Sequence, residues 1–201
     1  IGIIFISKYA KKIITKTLNL ENKNLSIIHH GLSNKFTSKL TLNKNIKYFS
    51  ETKPYVLLYI SSIHEYKHQW NVIEALAELR SEKFPITLDL VGSPGTAMKK
   101  LKLSLKKYDP NHEWVFFQNS VHYNEMHLVY QKFDYGIFAS SCENLPITLL
   151  EMMGSGMQIA CSNFSPMPEI LGNEGIYFNP VDSSSITEAV RRLILSKKNE
   201  N

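Results

Sequence analysis

The fold of this chain is decided by the stretch Asp134-Tyr-Gly-Ile-Phe-Ala-Ser-Ser-Cys-Glu143-Asn-Leu-Pro146-Ile-Thr-Leu-Leu-Glu151. Its apolar first part predicts a buried strand, and Pro146 fits the first position of a helix, where a missing N–H group costs nothing. Glu143 then lies in the loop between strand and helix, and Glu151 lies about two turns into the helix. Helix N-termini attract phosphates, and carboxylates accept strong hydrogen bonds from hydroxyl groups. The stretch predicts a site for a phosphorylated, polyhydroxylated ligand; the alternative is one solvated glutamate and one structural cap.

Short apolar runs alternate with segments of helical periodicity along most of the chain. This alternation predicts an α/β fold, a doubly wound, Rossmann-like parallel sheet covered by helices. The predicted strands are Tyr55–Ser61, Ile86–Val91, Trp114–Gln118, Asp134–Ala139, Met157–Ser162 and Gly175–Phe178. The predicted helices are Gln69–Ser81, Thr96–Lys107, Glu125–Lys132, Pro146–Met153, Met167–Leu171 and Ser184–Leu195. Because ligands bind outside the carboxyl ends of such strands, we expect the functional residues in the loops that follow them.

Three regions of different composition predict the domain organisation. Residues 1–30 indicate a separate strand–helix–strand piece, in which Ser7 is suited to cap the helix. Residues 31–53 are polar and have little periodicity, which is typical of a connector between domains. Residues 54–201 contain the strand series described above. The predicted elements of the first region are Gly2–Ile6, Lys8–Leu18 and Leu25–His29.

Further motifs follow the glutamate pair in a fixed order. They are the turn Met153-Gly-Ser-Gly156, the strand end Ser162-Asn163, the pair Pro168-Glu169 and the segment Tyr177-Phe-Asn-Pro180. Together with the Glu-x7-Glu pair, these motifs closely resemble the C-terminal half of retaining glycosyltransferases of family 4, the glycosyl transferases group 1 with the GT-B fold. The resemblance runs from about Tyr55 to Leu195. It implies that residues 54–201 form the nucleotide-sugar-binding domain and that residues 1–30 are the last βαβ fragment of the N-terminal domain.

The resemblance also implies roles for the residues around the glutamate pair. In the family the first glutamate contacts the transferred sugar and the second holds the ribose hydroxyls, which implies these roles for Glu143 and Glu151. Family members often have Gly-Phe-Gly after the first glutamate, whereas this chain has Asn144-Leu145-Pro146. The absence of the two glycines restricts the backbone conformations of this loop beside the sugar. The N–H groups of Leu145, Ile147 and Thr148, at the predicted helix start, are expected to meet the diphosphate.

Three more loops carry candidate residues. The family places a lysine at the position of Lys67, where it neutralises charge on the departing diphosphate; the alternative is a solvated lysine. Many members have an arginine where this chain has Ser62. Gly92 lies in the turn that resembles the one facing the nucleobase, and by itself it is also an ordinary βα turn. Glu169 is expected to orient or cap rather than to catalyse.

Composition excludes several other classes of protein. The net charge is +5, but the lysines are scattered in pairs, so nucleic-acid binding is not expected. Only two cysteines are present, which argues against a disulfide scaffold. His64 and His68 have the spacing of two metal ligands but straddle a predicted loop without a third ligand nearby, so no metal site and no required cofactor are predicted. No apolar run is long enough for a membrane helix.

The sequence therefore predicts the donor-binding half of a glycosyltransferase that retains anomeric configuration. Its substrate is expected to be a nucleotide-diphosphate sugar, and its acceptor a glycan or lipid-linked glycan bound by an N-terminal half outside this chain. We expect the chain by itself to be inactive. The whole enzyme is expected to be cytoplasmic, with a charge compatible with peripheral contact at the inner face of the membrane. Two alternatives remain: an epimerase or hydrolase on the same fold, and a non-catalytic module that binds nucleotide sugars.

Overall fold

Two parallel sheets, one of six strands and one of two, organise the chain. The computed structural model describes residues 2–37, 49–133 and 135–196. The strands are β1 (Gly2–Phe5), β2 (Asn24–Ile27), β3 (Tyr55–Ile60), β4 (Ile86–Val91), β5 (Val115–Gln118), β6 (Tyr135–Phe138), β7 (Gln158–Ser162) and β8 (Gly175–Phe178). The helices are α1 (Lys8–Leu18), α2 (Gln69–Ser81), α3 (Met98–Tyr108), α4 (Tyr123–Tyr130), α5 (Ile147–Gly154), α6 (Met167–Leu171) and α7 (Ser183–Leu195).

The order of strands in the larger sheet is β5-β4-β3-β6-β7-β8. The chain starts at β3, winds outward through β4 to β5, and then returns to place β6 against the other edge of β3. All pairs in this sheet are parallel, so the predicted doubly wound fold is confirmed. The winding direction reverses between β3 and β6. This reversal is the topological switch point at which such sheets bind ligands.

Burial explains why the central strands read as continuous apolar runs. The side chains of β6 are all buried, and those of β3 are buried apart from Val56. Strands buried on both faces need helices on both sides. The helices form two groups: α2 packs against α3 and α7, and α5 packs against α4 and α6. The apolar stripe of α7 is buried as its periodicity predicts, and Asp182 caps its first turn.

The predicted boundaries are met closely, and two differences have a local cause. The helix predicted from Thr96 starts at Met98. The residues before it are bound to the loop after β3: the Ala97 N–H donates to the Ile63 carbonyl oxygen, and Gly95 packs against the same oxygen. The helix predicted from Glu125 starts at Tyr123, because a ring nitrogen of His122 accepts a hydrogen bond from the Asn124 N–H and caps it. The strand predicted at Asp134–Ala139 corresponds to β6, and Asp134 lies outside the described residues.

β1 and β2 pair with each other and not with the strands of the larger sheet, and α1 connects them. We call residues 2–27 the N-terminal unit and residues 55–195 the six-stranded unit. The predicted connector is structured at its start: Asn34–Phe36 forms a single 3-10 turn, and Phe36 is buried against the ring of Tyr130. Residues 38–48 of that connector lie outside the described residues. The proposed domain boundaries themselves stay predictions.

Candidate functional site

The loops that follow β3 and β6 are joined to each other at the switch point. The Ser141 N–H donates to the Tyr66 carbonyl oxygen at 2.8 Å. The Ser141 hydroxyl lies 2.8 Å from Nε2 of His68. Adjacent parallel strands end at the same edge, so these bonds hold the two loops together directly over β3 and β6. The two loops therefore form one surface, on which residues far apart in sequence meet.

Lys67 and Glu143 form an ion pair on this surface through the Lys67 Nζ and Glu143 Oε1 atoms. The lysine side chain is 10% exposed and the glutamate side chain 16% exposed, so water screens the pair only in part. Lys67 ends a 3-10 turn, and its carbonyl oxygen accepts a 2.6 Å hydrogen bond from the Tyr59 hydroxyl. Its ammonium lies 5.3 Å from the centre of the Phe138 ring. The structure thus brings together the lysine expected to neutralise the departing diphosphate and the glutamate expected to contact the sugar, the two residues whose predicted roles are catalytic.

The start of α5 lies directly after this pair. Pro146 precedes the helix, and no side chain among the described residues caps it. The N–H groups of Leu149 and Leu150 both donate to the Pro146 carbonyl oxygen. The N–H groups of Ile147 and Thr148 stand in the first turn, where a helix provides no partner. These donors and the helix dipole form a surface suited to an anion.

Glu151 occupies a different environment within α5. It is 5% exposed, and its Oε2 atom accepts a 2.7 Å hydrogen bond from the hydroxyl of Tyr130, which is fully buried. Burial raises the pKa of Glu151 above its ordinary value, and the Tyr130 hydrogen bond opposes this rise. Glu151 is not part of the Lys67–Glu143 ion pair. Tyr130 was not anticipated from the sequence, since a tyrosine in a helix gives no sign of the partner its hydroxyl will find.

Gly92 and Ser62 lie where β3 and β4 end side by side. Gly92 is buried, and a Cβ atom there would overlap the carbonyl group of Ser61. The glycine is therefore required for the close approach of two backbone segments. The Ser62 carbonyl oxygen accepts a 3.1 Å hydrogen bond from the side chain of Gln69. Both residues help to shape the edge of the site, and their predicted ligand contacts stay predictions.

The histidines and cysteines have separate surroundings. His64 lies against the Thr96 hydroxyl, whereas His68 lies against Ser141, so the two rings have different partners. Burial, and then the charge of Lys100, lower the pKa of His68. Within the described residues, no group of three or more His, Cys, Asp or Glu side chains is arranged to hold a metal ion. Cys142 is exposed and Cys161 buried, and both are free.

Hydrogen bonds connect the start of α1 to the six-stranded unit, one of them at the Glu143 loop. The hydroxyl of Ser7 donates to the carbonyl oxygen of Asn144 at 2.8 Å. The carboxylate of Glu169 accepts hydrogen bonds from the Lys8 and Tyr9 N–H groups at the start of α1. The expectation that Ser7 caps α1 is met, because it also accepts from the Ala10 N–H. Its bond to Asn144 could not be read from a local pattern.

Comparison with known proteins identifies the family to which the chain belongs. The family model for glycosyl transferases group 1 matches residues 41–201. The chain is 22% identical over 193 residues to the O-antigen chain mannosyltransferase RfbU of Salmonella typhimurium, a match that covers 95% of this chain and 50% of RfbU. No helix among the described residues has both the length and the apolar character needed to span a membrane.

Solved structures share the fold at low sequence identity. Anabaena Alr3699/HepE in complex with UDP and glucose aligns with a TM-score of 0.80 and 16% identity, covering 97% of this chain and 54% of HepE. A glycosyltransferase from Rickettsia africae aligns with a TM-score of 0.76 and 14% identity, covering 96% of this chain and 52% of that protein. The chain thus spans about half the length of these proteins. Together with the family match over residues 41–201, the parallel six-stranded sheet shows that the chain belongs to the glycosyl transferases group 1 family.

Proposed function

We propose that the whole protein transfers a sugar from a nucleotide-diphosphate sugar to an acceptor hydroxyl with retention of anomeric configuration, as an enzyme of family 4. This chain supplies the donor-binding half and should not transfer sugar by itself. The observation that carries the proposal is the Lys67–Glu143 ion pair at the topological switch point, directly before the uncapped start of α5. A cation, a carboxylate and the N–H groups of a first helical turn meet there, and these groups are suited to bind a phosphorylated sugar.

The diphosphate side of the proposed site consists of Lys67 and the first turn of α5. Negative charge grows on the diphosphate as the bond to the sugar breaks. Lys67 and the N–H groups of Ile147 and Thr148 are fixed in place before the reaction and stabilise this charge. Because these groups already supply positive charge, we propose that transfer needs no metal ion or other cofactor. Activity that survives a chelator such as EDTA would support this point, and activity restored only by an added divalent ion would contradict it.

The sugar and nucleoside sides are assigned to the two glutamates. Glu143 precedes the loop Asn144-Leu145-Pro146 and is proposed to contact the transferred sugar. Glu151 is proposed to accept hydrogen bonds from the ribose hydroxyls, since Tyr130 holds only one of its oxygen atoms through a described hydrogen bond. The turn at Gly92 is proposed to face the nucleobase, with Ser62 beside it. The sugar of the donor is proposed to be a hexose, as suggested by a mannosyltransferase and a glucose complex among the similar proteins.

The acceptor is proposed to be a glycan or a lipid-linked glycan bound by the other half of the whole protein. RfbU, named for the O-antigen chain, supports this class of acceptor. The net charge of +5 favours attraction to anionic lipid surfaces, so we propose a cytoplasmic enzyme with peripheral contact at the membrane. Co-sedimentation of the whole protein with anionic vesicles, absent with neutral vesicles, is the expected result. Equal recovery with both kinds of vesicle would contradict the membrane contact.

A donor screen on the whole protein tests the proposed reaction. UDP- and GDP-sugars, including UDP-glucose, are incubated with glycan acceptors, and the anomeric configuration of the product is read by NMR. Transfer with retention is the expected result. Sugar released without an acceptor would indicate a hydrolase, a changed sugar on the intact nucleotide would indicate an epimerase, and binding without chemistry would indicate a non-catalytic module.

A further inference from the structure

The start of α1 is held by a carboxylate from another part of the fold. Oε1 of Glu169 lies 2.7 Å from the Lys8 N atom, and Oε2 lies 2.9 Å from the Tyr9 N atom. Glu169 belongs to α6, about 160 residues further along the chain. The first turn of α1 contains no acidic residue of its own. The favourable negative charge at this helix N-terminus therefore comes from the six-stranded unit.

A second bond joins the same end of α1 to the loop that carries Glu143. Ser7 is fully buried, and its hydroxyl donates to the carbonyl oxygen of Asn144, the residue after Glu143. Ser7 lies two residues after the end of β1, and Asn144 lies in the loop after β6. The carboxyl ends of the two sheets thus face each other here. We call the bonds made by Ser7 and Glu169 the clasp.

We propose that Glu169 is a positioning residue, which through the clasp holds the N-terminal unit against the Glu143 loop and so sets the place of Glu143 for sugar transfer. The inference rests on the proposed function. Its physical basis is that both oxygens of one carboxylate bind two successive N–H groups, an arrangement that fixes orientation as well as distance. Loss of the carboxylate leaves both groups at the helix start without this partner.

Hydrogen exchange tests the contact without reference to activity. In the whole protein, Glu169→Ala should speed exchange of the Lys8 and Tyr9 amides by about tenfold or more, since local opening exposes groups that have lost their partner. Glu82→Ala is the matched control, because it removes a carboxylate that binds Arg191 of α7. That variant should leave exchange in α1 unchanged. Unchanged exchange in Glu169→Ala would overturn the clasp.

Kinetics separate a positioning role from a general structural role. Glu169→Ala should lower kcat for transfer by about tenfold or more, the effect of losing contacts to a charged group. UDP binding, measured by calorimetry, should change by less than about twofold, because UDP lacks the sugar that Glu143 is proposed to contact, and neither Lys67 nor Glu151 belongs to the clasp. Glu169→Gln retains one acceptor oxygen and should recover part of kcat. An equal loss in UDP affinity and kcat would show that Glu169 supports the fold instead.

A proline at position 8 removes the backbone donor of the hydrogen bond between Lys8 and Glu169. Lys8 is the first residue of α1, where proline is tolerated, and Ser7 has the extended conformation that suits the residue before proline. Lys8→Pro therefore removes one N–H donor while leaving Glu169 in place, and Lys8→Ala controls for the lost lysine side chain. In Lys8→Pro/Glu169→Gln the loss of kcat should be smaller than the product of the two single losses, because both changes remove the same contact.

The outcomes distinguish this proposal from the proposed function. Fast exchange with unchanged kcat, or single losses that simply multiply in the double variant, would overturn the positioning role while sugar transfer stands. Failure of the unsubstituted protein to transfer sugar would overturn the proposed function and the role of Glu169 with it. In that case the exchange measurement still decides whether the clasp exists.

Discussion

The loop after β6 and the interior of α5 each contain one glutamate, and the two carboxylates have opposite kinds of partner. Glu143 in the loop meets the charged ammonium of Lys67. Glu151 in the helix meets the neutral hydroxyl of Tyr130 and is almost completely buried. Burial raises the pKa of Glu151, whereas the partner of Glu143 carries a full opposite charge. The pair that looks symmetrical in sequence is therefore asymmetrical in its electrostatics.

This difference separates two tasks within one site. The Lys67–Glu143 pair places an ammonium and a carboxylate beside the start of α5, where the diphosphate and the sugar of the proposed donor would lie. Glu151 is held in one orientation by a group that does not neutralise it, which suits a carboxylate that recognises hydroxyl groups. The comparison predicts that substitutions on the two sides will affect different steps and respond differently to pH.

The largest effect is expected from breaking the ion pair. Lys67→Ala leaves Glu143 partly buried without its cation and should lower the free energy of unfolding by about 2–3 kcal/mol. It should also weaken UDP binding by about 10- to 150-fold, with little change for uridine, because a lysine here meets only phosphates. Urea unfolding and calorimetry at low salt measure the two quantities.

Lys100→Ala is the matched control for that substitution. Lys100 pairs with Glu65, and both side chains are 55% exposed, so its removal should cost less than about 1 kcal/mol. Equal losses for uridine and UDP in Lys67→Ala would mean that Lys67 supports the fold and not the ligand.

The second prediction tests the division between the glutamates. Glu151→Gln should weaken UDP binding by about 10- to 150-fold, because the ribose hydroxyls lose a charged acceptor. Glu143→Gln should lower kcat of the whole protein more than it lowers UDP affinity, because the sugar is absent from UDP. Calorimetry with UDP and a transfer assay decide the matter, and equal losses of affinity in both variants would remove the proposed division of roles.

The third prediction concerns pH. Burial raises the pKa of Glu151 above its ordinary value of 4.5, so its carboxylate is lost on acidification earlier than an exposed glutamate would be. Affinity for UDP-glucose should therefore fall as pH is lowered through that raised pKa, by up to about tenfold per pH unit below it. UDP-glucose is preferable to UDP here because it lacks a terminal phosphate that titrates near pH 6.

The raised pKa of Glu151 has the opposite effect on the stability of the fold, which should fall as pH rises. Between the ordinary pKa and the raised pKa, the unfolded chain has released the proton of Glu151 while the folded chain keeps it. The unfolded state then binds fewer protons, so the contribution of Glu151 to stability falls as pH rises through this window. Glu151→Gln should remove both the pH dependence of UDP-glucose affinity and that of stability. If this variant still loses affinity in acid, another group titrates.

Much of the fold could be predicted because the signals are local. The predicted bounds are exact for β4, β8 and α2. Buried strands need apolar runs and buried helix faces need an apolar periodicity, and both patterns are visible in the sequence. The Glu143 loop could be located for the same reason, because an apolar run precedes the loop and Pro146 marks the start of α5 after it.

The contacts within the site could not be predicted in the same way. Pairing of Lys67 with Glu143 depends on β3 and β6 becoming neighbours, which is a property of the sheet and not of either segment. Burial of Phe36 is a further case: an aromatic residue among polar neighbours carries no periodicity, yet Phe36 packs on Tyr130 beneath the site. Long-range partners of single polar or aromatic residues are set by topology.

The smallest effect is expected from Tyr130→Phe, which sharpens the comparison from the Glu151 side. The substitution removes one hydroxyl and leaves the ring against Phe36, so stability should fall by only about 1 kcal/mol. Its hydrogen bond opposes the rise in the pKa of Glu151, so its loss should raise that pKa further and move the acid loss of UDP-glucose affinity to higher pH. Tyr177→Phe, which removes a hydroxyl bonded to the Gly172 carbonyl oxygen, is the control and should leave the pH profile in place. An unshifted profile in Tyr130→Phe would mean that the tyrosine only fills space and that burial alone sets the behaviour of Glu151.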